Sequence, residues 1–426
     1  MGMSDGDSSL SNLFLGRQPI LDSRQVLIGY ELLFRDSGAN HAPAVTAPAV
    51  ATADVVCKAF TDLGLASALD GHKSFLIVDA EFLRHEAAEL LPHDGVVLEI
   101  DAALAGLADV VERCRQLVDN GYAFCLSLRD LAFTEADASP LFDLISFIKL
   151  NIRIQPDEML KRWLAFAHER RWITIASHVE SQDDYRRASA LDFQFFQGYY
   201  FAEPTLVAGR KLDPALHGLV RIINLISQDA ELPVLEQAFK AEAALTVKLL
   251  RLTNSVGVGL RTRISSVRQA INIVGRRPLQ RWLQLLLFSH GGGAEEFERN
   301  PLMQLAALKG NFMERLARRC FARQEAAMSD LAFLAGMMSL MPAALGMPMA
   351  EILDQIAVAV PLRQALLLRE GELGRLLELT DRYDANDLSG VDKMLAELGS
   401  GASREILNQC LAESIAWVQA LVTEQE

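Results

Sequence analysis

The sequence predicts a (β/α) barrel with an antiparallel first strand, followed by an all-helical domain. Three observations lead there. Short apolar runs alternate with helical stretches up to about residue 204, and the alternation then gives way to helical periodicity alone. Several of the runs are apolar at almost every position, which suits strands of a parallel sheet covered on both faces. The first two runs are separated only by a short polar break, the spacing of an antiparallel hairpin.

Residues 1–12, MGMSDGDSSLSN, are small and polar and read as a flexible leader; they lack the basic start and apolar core of a signal peptide. Leu13–Ile20 and Val26–Phe34 form the expected hairpin around Asp22-Ser23-Arg24. Ser74–Asp79, Gly95–Ile100, Tyr122–Leu128, Leu144–Asn151, Trp172–Ser177 and Phe193–Phe196 supply the remaining strands. Between them lie helical patterns such as Leu104–Asn120, closed by Gly121 in the position that accepts a left-handed turn. Residues 13–204 therefore make the barrel and 205–426 the helical domain, of roughly ten helices, broken at glycine and proline clusters.

Leu331–Ala350 is an uncharged stretch long enough to cross a bilayer, but Pro342 and Pro348 interrupt it and its flanks are acidic. It reads as a core helix, a turn and the start of another helix. The five cysteines have no CxxC spacing and fit buried thiols in a reducing cytoplasm. Charge is uneven: residues 1–204 hold 17 Lys+Arg against 30 Asp+Glu, whereas 205–426 hold 24 against 25. Residues 243–294 contain no acid and eight bases: Lys248, Arg251, Arg261, Arg263, Arg268, Arg276, Arg277 and Arg281. In so acidic a chain this segment fits a protein surface better than nucleic acid, and a solvated helix face equally well.

In a barrel of this kind functional side chains sit at the C-terminal ends of the strands. Gln18-Pro19-Ile20, Tyr30-Glu31-Leu32-Leu33, Val96–Ile100, Phe147–Asn151 and Phe195–Pro204 resemble, in that order, the EAL domain of bacterial cyclic-di-GMP phosphodiesterases. Active members hydrolyse one phosphodiester bond with divalent cations held by carboxylates and an asparagine. Carried over by position, the resemblance keeps Glu31, Glu99, Lys149, Glu180 and Gln197, with Arg35 as a phosphate contact. Ligand positions fall instead at Ile77, Ser127, Leu128, Asn151 and Ser177. Two carboxylates and an amide do not make two cation sites, so loss of hydrolysis is expected, Asp79 being a weak substitute. Glu31, Glu99 and Lys149 are expected to satisfy one another as a buried ion-pair network.

Leu232–Leu283 resembles the HDOD domain, a helical relative of HD-type phosphohydrolases, through Leu249–Ser255, Ile264–Val267 and Ala270–Gly275. The His-Asp pair of an HD hydrolase falls at Ser339 and Leu340, and only His217 and His290 remain after residue 204. The resemblance thus implies a two-domain EAL–HDOD signalling protein. With ligands missing from both halves, the expectation is a catalytically inactive cytoplasmic regulator that acts by binding signalling proteins, with no metal or cofactor. The alternatives are a cyclic-di-GMP receptor that does not hydrolyse, and a residual phosphodiesterase. The acidic barrel and basic helical segment suggest contact between halves or between subunits of a homodimer. No membrane partner is expected.

Overall fold

A computed structural model describes residues 13–36, 56, 60, 72–128, 140–204, 214–256, 266–287, 300–321, 325–355, 358–398 and 402–423. Eight strands close into a barrel in chain order: β1 (Leu13–Asp22), β2 (Leu27–Asp36), β3 (Lys73–Ile77), β4 (Val96–Asp101), β5 (Ala123–Leu128), β6 (Ile145–Asn151), β7 (Ile173–Ser177) and β8 (Phe195–Gln197). β1 runs antiparallel to both neighbours, β2 and β8; every other pairing is parallel. The predicted hairpin forms at its predicted place. Its turn is held by Asp22, whose carboxylate accepts from the Arg24 and Val26 amides, both at 2.8 Å.

The barrel floor is apolar because inward positions recur every second residue. Ile20, Phe75, Val97, Cys125, Phe147 and Ile175 pack there as one cluster, with Phe75 and Phe147 edge to face at 5.4 Å. The predicted helix after β4 divides into a 3-10 turn, Ala102–Gly106, and α2 (Ala108–Asp119), the second helix after α1 (Ala80–Arg84). Gly121 (φ +96°) then redirects the chain into β5.

The chain divides into two compact units. The first comprises residues 1–203, 315–325 and 379–426, the second 204–314 and 326–378. The sequence predicts a single cut near 204–212, whereas the final helices group with the barrel. The described part of the second unit is helical. Helix Pro301–Cys320 approaches helix Glu325–Met338 closely at Gly310 and Gly336, where a Cβ on Gly336 would lie 2.6 Å from the Lys309 carbonyl. Leu331–Ala350 forms the end of that second helix, a short helix Met341–Leu345, and the first residues of helix Met349–Gln355. Met337, Met338, Met341 and Met347 are buried packing residues. No described helix is long and apolar enough to cross a membrane.

Candidate active site

The register of the parallel strands stacks a polar layer on the apolar floor. Glu99 lies beside Cys125 and Ser127 beside Lys149, while Asn151 pairs with Ser177. Two residues beyond the floor, the inward positions of β3 to β7 are Ile77, Glu99, Ser127, Lys149 and Ser177, at the C-terminal mouth. Glu31 joins them from β2, where it pairs with Gln18.

Lys149 is the centre of this layer. Its Nζ donates to Glu99 Oε2 and lies 3.4 Å from Glu31 Oε1, and all three side chains are at most 7 % exposed. Nζ also stands 5.8 Å from the centre of the Phe75 ring. Burial alone would lower the ammonium's pKa, but Glu31 and Glu99 outweigh it and the net shift is upward. Lys149 is therefore a permanent cation here and cannot accept a proton. Below it, burial first and Glu99 second push the Cys125 thiol well above its ordinary value, so it stays protonated. Gln197 completes the layer: its Nε2 donates to Gln18 Oε1 at 2.7 Å and to Glu31 Oε2. Its Oε1 is buried without a hydrogen-bond partner, an acceptor that a water or a ligand donor can fill.

The positions that lack the family ligands serve the scaffold. Ser177 Oγ donates to the Leu150 carbonyl at 3.2 Å, and Asn151 Oδ1 accepts from the Arg153 amide at 2.9 Å. Leu128 is a buried residue, one position out of step with inward Ser127, and its carbonyl accepts from Gln155 Nε2 at 3.2 Å. Asp79 caps α1 by accepting from the Phe82 amide at 2.8 Å, which occupies the proposed substitute carboxylate. Glu180 stays outside the cluster: it is exposed and pairs with Arg153 at 2.8 Å. Arg35 lies in β2, but its side chain is outside the described residues.

Three residues at this mouth were not singled out as ligands from the sequence. Gln18 is joined to the site by its hydrogen bond to Gln197. Asp101 follows Glu99 on the same face of β4 and pairs in register with Ser127, although its Oδ1 accepts from the Ala103 amide at 2.9 Å. His178 follows β7 with φ +61°, a left-handed conformation uncommon outside glycine, and its Nδ1 lies 3.3 Å from Ser177 Oγ. Desolvation lowers the imidazole pKa below its ordinary 6.5, against a raising influence from Glu180. The i, i+2 spacing from a recognised site residue was the signal for Asp101.

In the helical half, Ser339 Oγ donates to the Gly336 carbonyl at 2.7 Å and the Leu340 amide to the Met337 carbonyl at 3.1 Å, so both positions serve a helix end. Four of the eight bases in the basic segment meet acids: Arg268 with Glu236, Arg276 with Asp229, Arg277 with Asp330, and Arg281 with Glu314. Lys248 lies half-buried on helix Ala243–Val256, which also carries Arg251. Arg261 and Arg263 lie outside the described residues, as does the Arg251 side chain.

A closed barrel with one antiparallel strand and a Glu–Lys–Glu–Gln mouth, joined to a helical unit, defines the class: a model of the EAL domain matches residues 72–204 and one of the HDOD domain matches 214–351, so the chain carries both domains. Among curated relatives, the cyclic di-GMP phosphodiesterase CdgJ of Vibrio cholerae is 28% identical over 418 residues, 97% of this chain and 94% of the relative. The uncharacterised protein YuxH of Bacillus subtilis is 26% identical over 416 residues, 96% of this chain and 99% of the relative. Similar solved structures include the EAL enzyme Bd1971 bound to cAMP and cyclic-di-GMP, with TM-score 0.38 and 18% identity over 45% of this chain and 62% of that one. The FimX EAL domain gives TM-score 0.35 and 20% identity over 45% of this chain and 89% of that one.

The phosphodiesterase name of the Vibrio cholerae relative corrects the expectation of a catalytically inactive, non-enzymatic regulator. That expectation took missing ligands as missing activity, and a relative aligned over nearly the whole chain bears the enzyme's name. The donor set still does not fit a pair of divalent cations. Such ions each want about six oxygens, whereas Glu31 and Glu99 are engaged by Lys149, and no described group of three His, Cys, Asp or Glu residues is placed to hold a metal.

Proposed function

We propose that this chain is a cyclic-di-GMP phosphodiesterase whose barrel receives the dinucleotide at the C-terminal mouth. The observation that carries the reading is the 28% identity with a cyclic di-GMP phosphodiesterase across 97% of this chain, both domains included. Glu31, Glu99, Lys149 and Gln197 at the mouth support it.

The reaction adds one water across one phosphodiester bond: a P–O bond breaks, a sugar hydroxyl leaves, and a linear phosphomonoester remains. Lys149 supplies a fixed positive charge for the phosphodiester, preorganised by Glu31 and Glu99 before substrate arrives. Gln197 Oε1 offers a buried acceptor for a substrate or water donor. A cytoplasmic location suits the free cysteine thiols among the described residues. The test is turnover and calorimetric binding of cyclic-di-GMP on one purified sample, with Mg²⁺ or Mn²⁺ supplied. Linear dinucleotide product supports the proposal, and its absence under all conditions removes it.

A further inference from the structure

β8 is only three residues long and pairs with β1 only at Ile20, Leu21 and Asp22. The edge of β1 preceding those residues therefore has no strand partner on the β8 side. Backbone groups buried at such an edge need partners from elsewhere.

Those partners come from two places. The loop after β8 contributes the Gly198 amide, which donates to the Pro19 carbonyl at 3.2 Å, and the Tyr199 hydroxyl, which donates to the Arg17 carbonyl at 3.0 Å. The C-terminal helices of the same unit contribute the rest. The Leu15 amide donates to Asn408 Oδ1 at 3.2 Å, and the Tyr383 hydroxyl donates to the Leu15 carbonyl. Tyr383 and Asn408 are also joined directly at 3.2 Å, and Leu15, Tyr383 and Asn408 are all buried.

A buried cation lies on the same strand. Arg17 is 8 % exposed, its Nε and Nη2 have no hydrogen-bond partner, and its guanidinium stands 5.0 Å from the Tyr30 ring centre. Burial works against the guanidinium's charge, and Asp384, at the end of helix Gly371–Asp384, favours it. Helix Arg404–Thr423, which carries Asn408, packs against β1.

On β1, Gln18 accepts from Gln197 Nε2, and that same nitrogen donates to Glu31. The strand that the C-terminal helices hold is thus the strand that presents one side of the candidate active site. We infer that Tyr383 and Asn408 are positioning residues for the Gln18–Glu31–Gln197 edge, acting on the reaction through β1. This inference rests on the phosphodiesterase reading above. A misplacement of about 1 Å at a reacting centre can cost about a hundredfold in rate.

The test compares full-length wild type with Tyr383→Phe, Asn408→Leu and Asn408→Asp, well below their melting temperatures. Glu31→Gln serves as the direct site variant, and amide exchange is followed over β1 and residues 195–199. Tyr383→Phe and Asn408→Leu should lower kcat about tenfold or more with KM little changed, and speed exchange in both segments. Asn408→Asp keeps an acceptor for the Leu15 amide and should retain most of the rate. Lowered melting temperature with unchanged kcat overturns the positioning role. If the wild type shows no turnover, the phosphodiesterase reading fails and the positioning role falls with it. Turnover by the wild type with kcat unchanged in both variants overturns the positioning role alone.

Discussion

Replacing Lys149 with methionine keeps the apolar stem of the side chain but removes the ammonium and the charge that Glu31 and Glu99 share. Their side chains are 7 % and 2 % exposed, and the ammonium contacts both. Without it, two nearly buried carboxylates face each other with no cation between them. Removing one partner of a buried ion pair costs about 3–5 kcal/mol, chiefly because the remaining charge is left uncompensated. We expect a loss in that range at pH 7, read as a fall in unfolding free energy of the barrel unit followed by tryptophan fluorescence in urea. The pH dependence supplies a second signature. In the variant, at least one carboxyl holds its proton well above the ordinary value of about 4.3. The folded state then binds more protons than the unfolded one, so stability recovers as pH falls through that raised pKa. The wild type behaves otherwise. The pKa of Lys149 is raised on folding, so its contribution is complete below about pH 10 and does not vary between pH 5 and 9. Adding Glu99→Gln to the variant should restore part of the loss by removing the repulsion. A loss below about 1 kcal/mol at pH 7, or one indifferent to pH and to Glu99→Gln, would refute the account of the site as one network.

Two further predictions concern the rim of the barrel. Gly198 has φ +142°, and a Cβ there would meet the Val179 carbonyl oxygen at 2.0 Å, so Gly198→Ala should destabilise the barrel by several kcal/mol; a melting temperature unchanged within about 1 °C would contradict this. The His178 imidazole, lowered by desolvation, should titrate with a midpoint below 6.5 when its ring protons are followed by NMR. Because the folded state binds that proton less readily, stability associated with His178 declines as pH drops below 6.5, and His178→Gln should remove this component.

Much of the barrel was legible because its physics is local. Runs such as Val96–Ile100 and Phe147–Leu150 are apolar at every position but one, and a strand covered on both faces accommodates them without helical length. Glu31, Glu99 and Lys149 were legible as site residues because a charge inside such a run requires a partner, and their mutual satisfaction is what the structure contains. Face assignment within the pair Ser127-Leu128 was not read, since it depends on the phase of β5 against its neighbours. The return of residues 379–426 to the barrel was invisible for a different reason. It depends on Leu15 meeting Asn408 and Tyr383 across most of the chain, and nothing in the local pattern reveals that β8 is too short to cover β1. Arg276 and Arg281 read as free charge because their acids lie 47 residues back and 33 residues ahead in sequence. The functional expectation failed where it equated absent aspartates with absent activity.

Turnover of cyclic-di-GMP by the full chain is the most direct measurement. With Mg²⁺ or Mn²⁺ present, the account predicts linear dinucleotide product from the wild type. Glu31→Gln should lower kcat/KM by about a hundredfold or more, a loss of about 2.7 kcal/mol of transition-state stabilisation. Absence of product from folded wild type, or product formed equally well by Glu31→Gln, would contradict it.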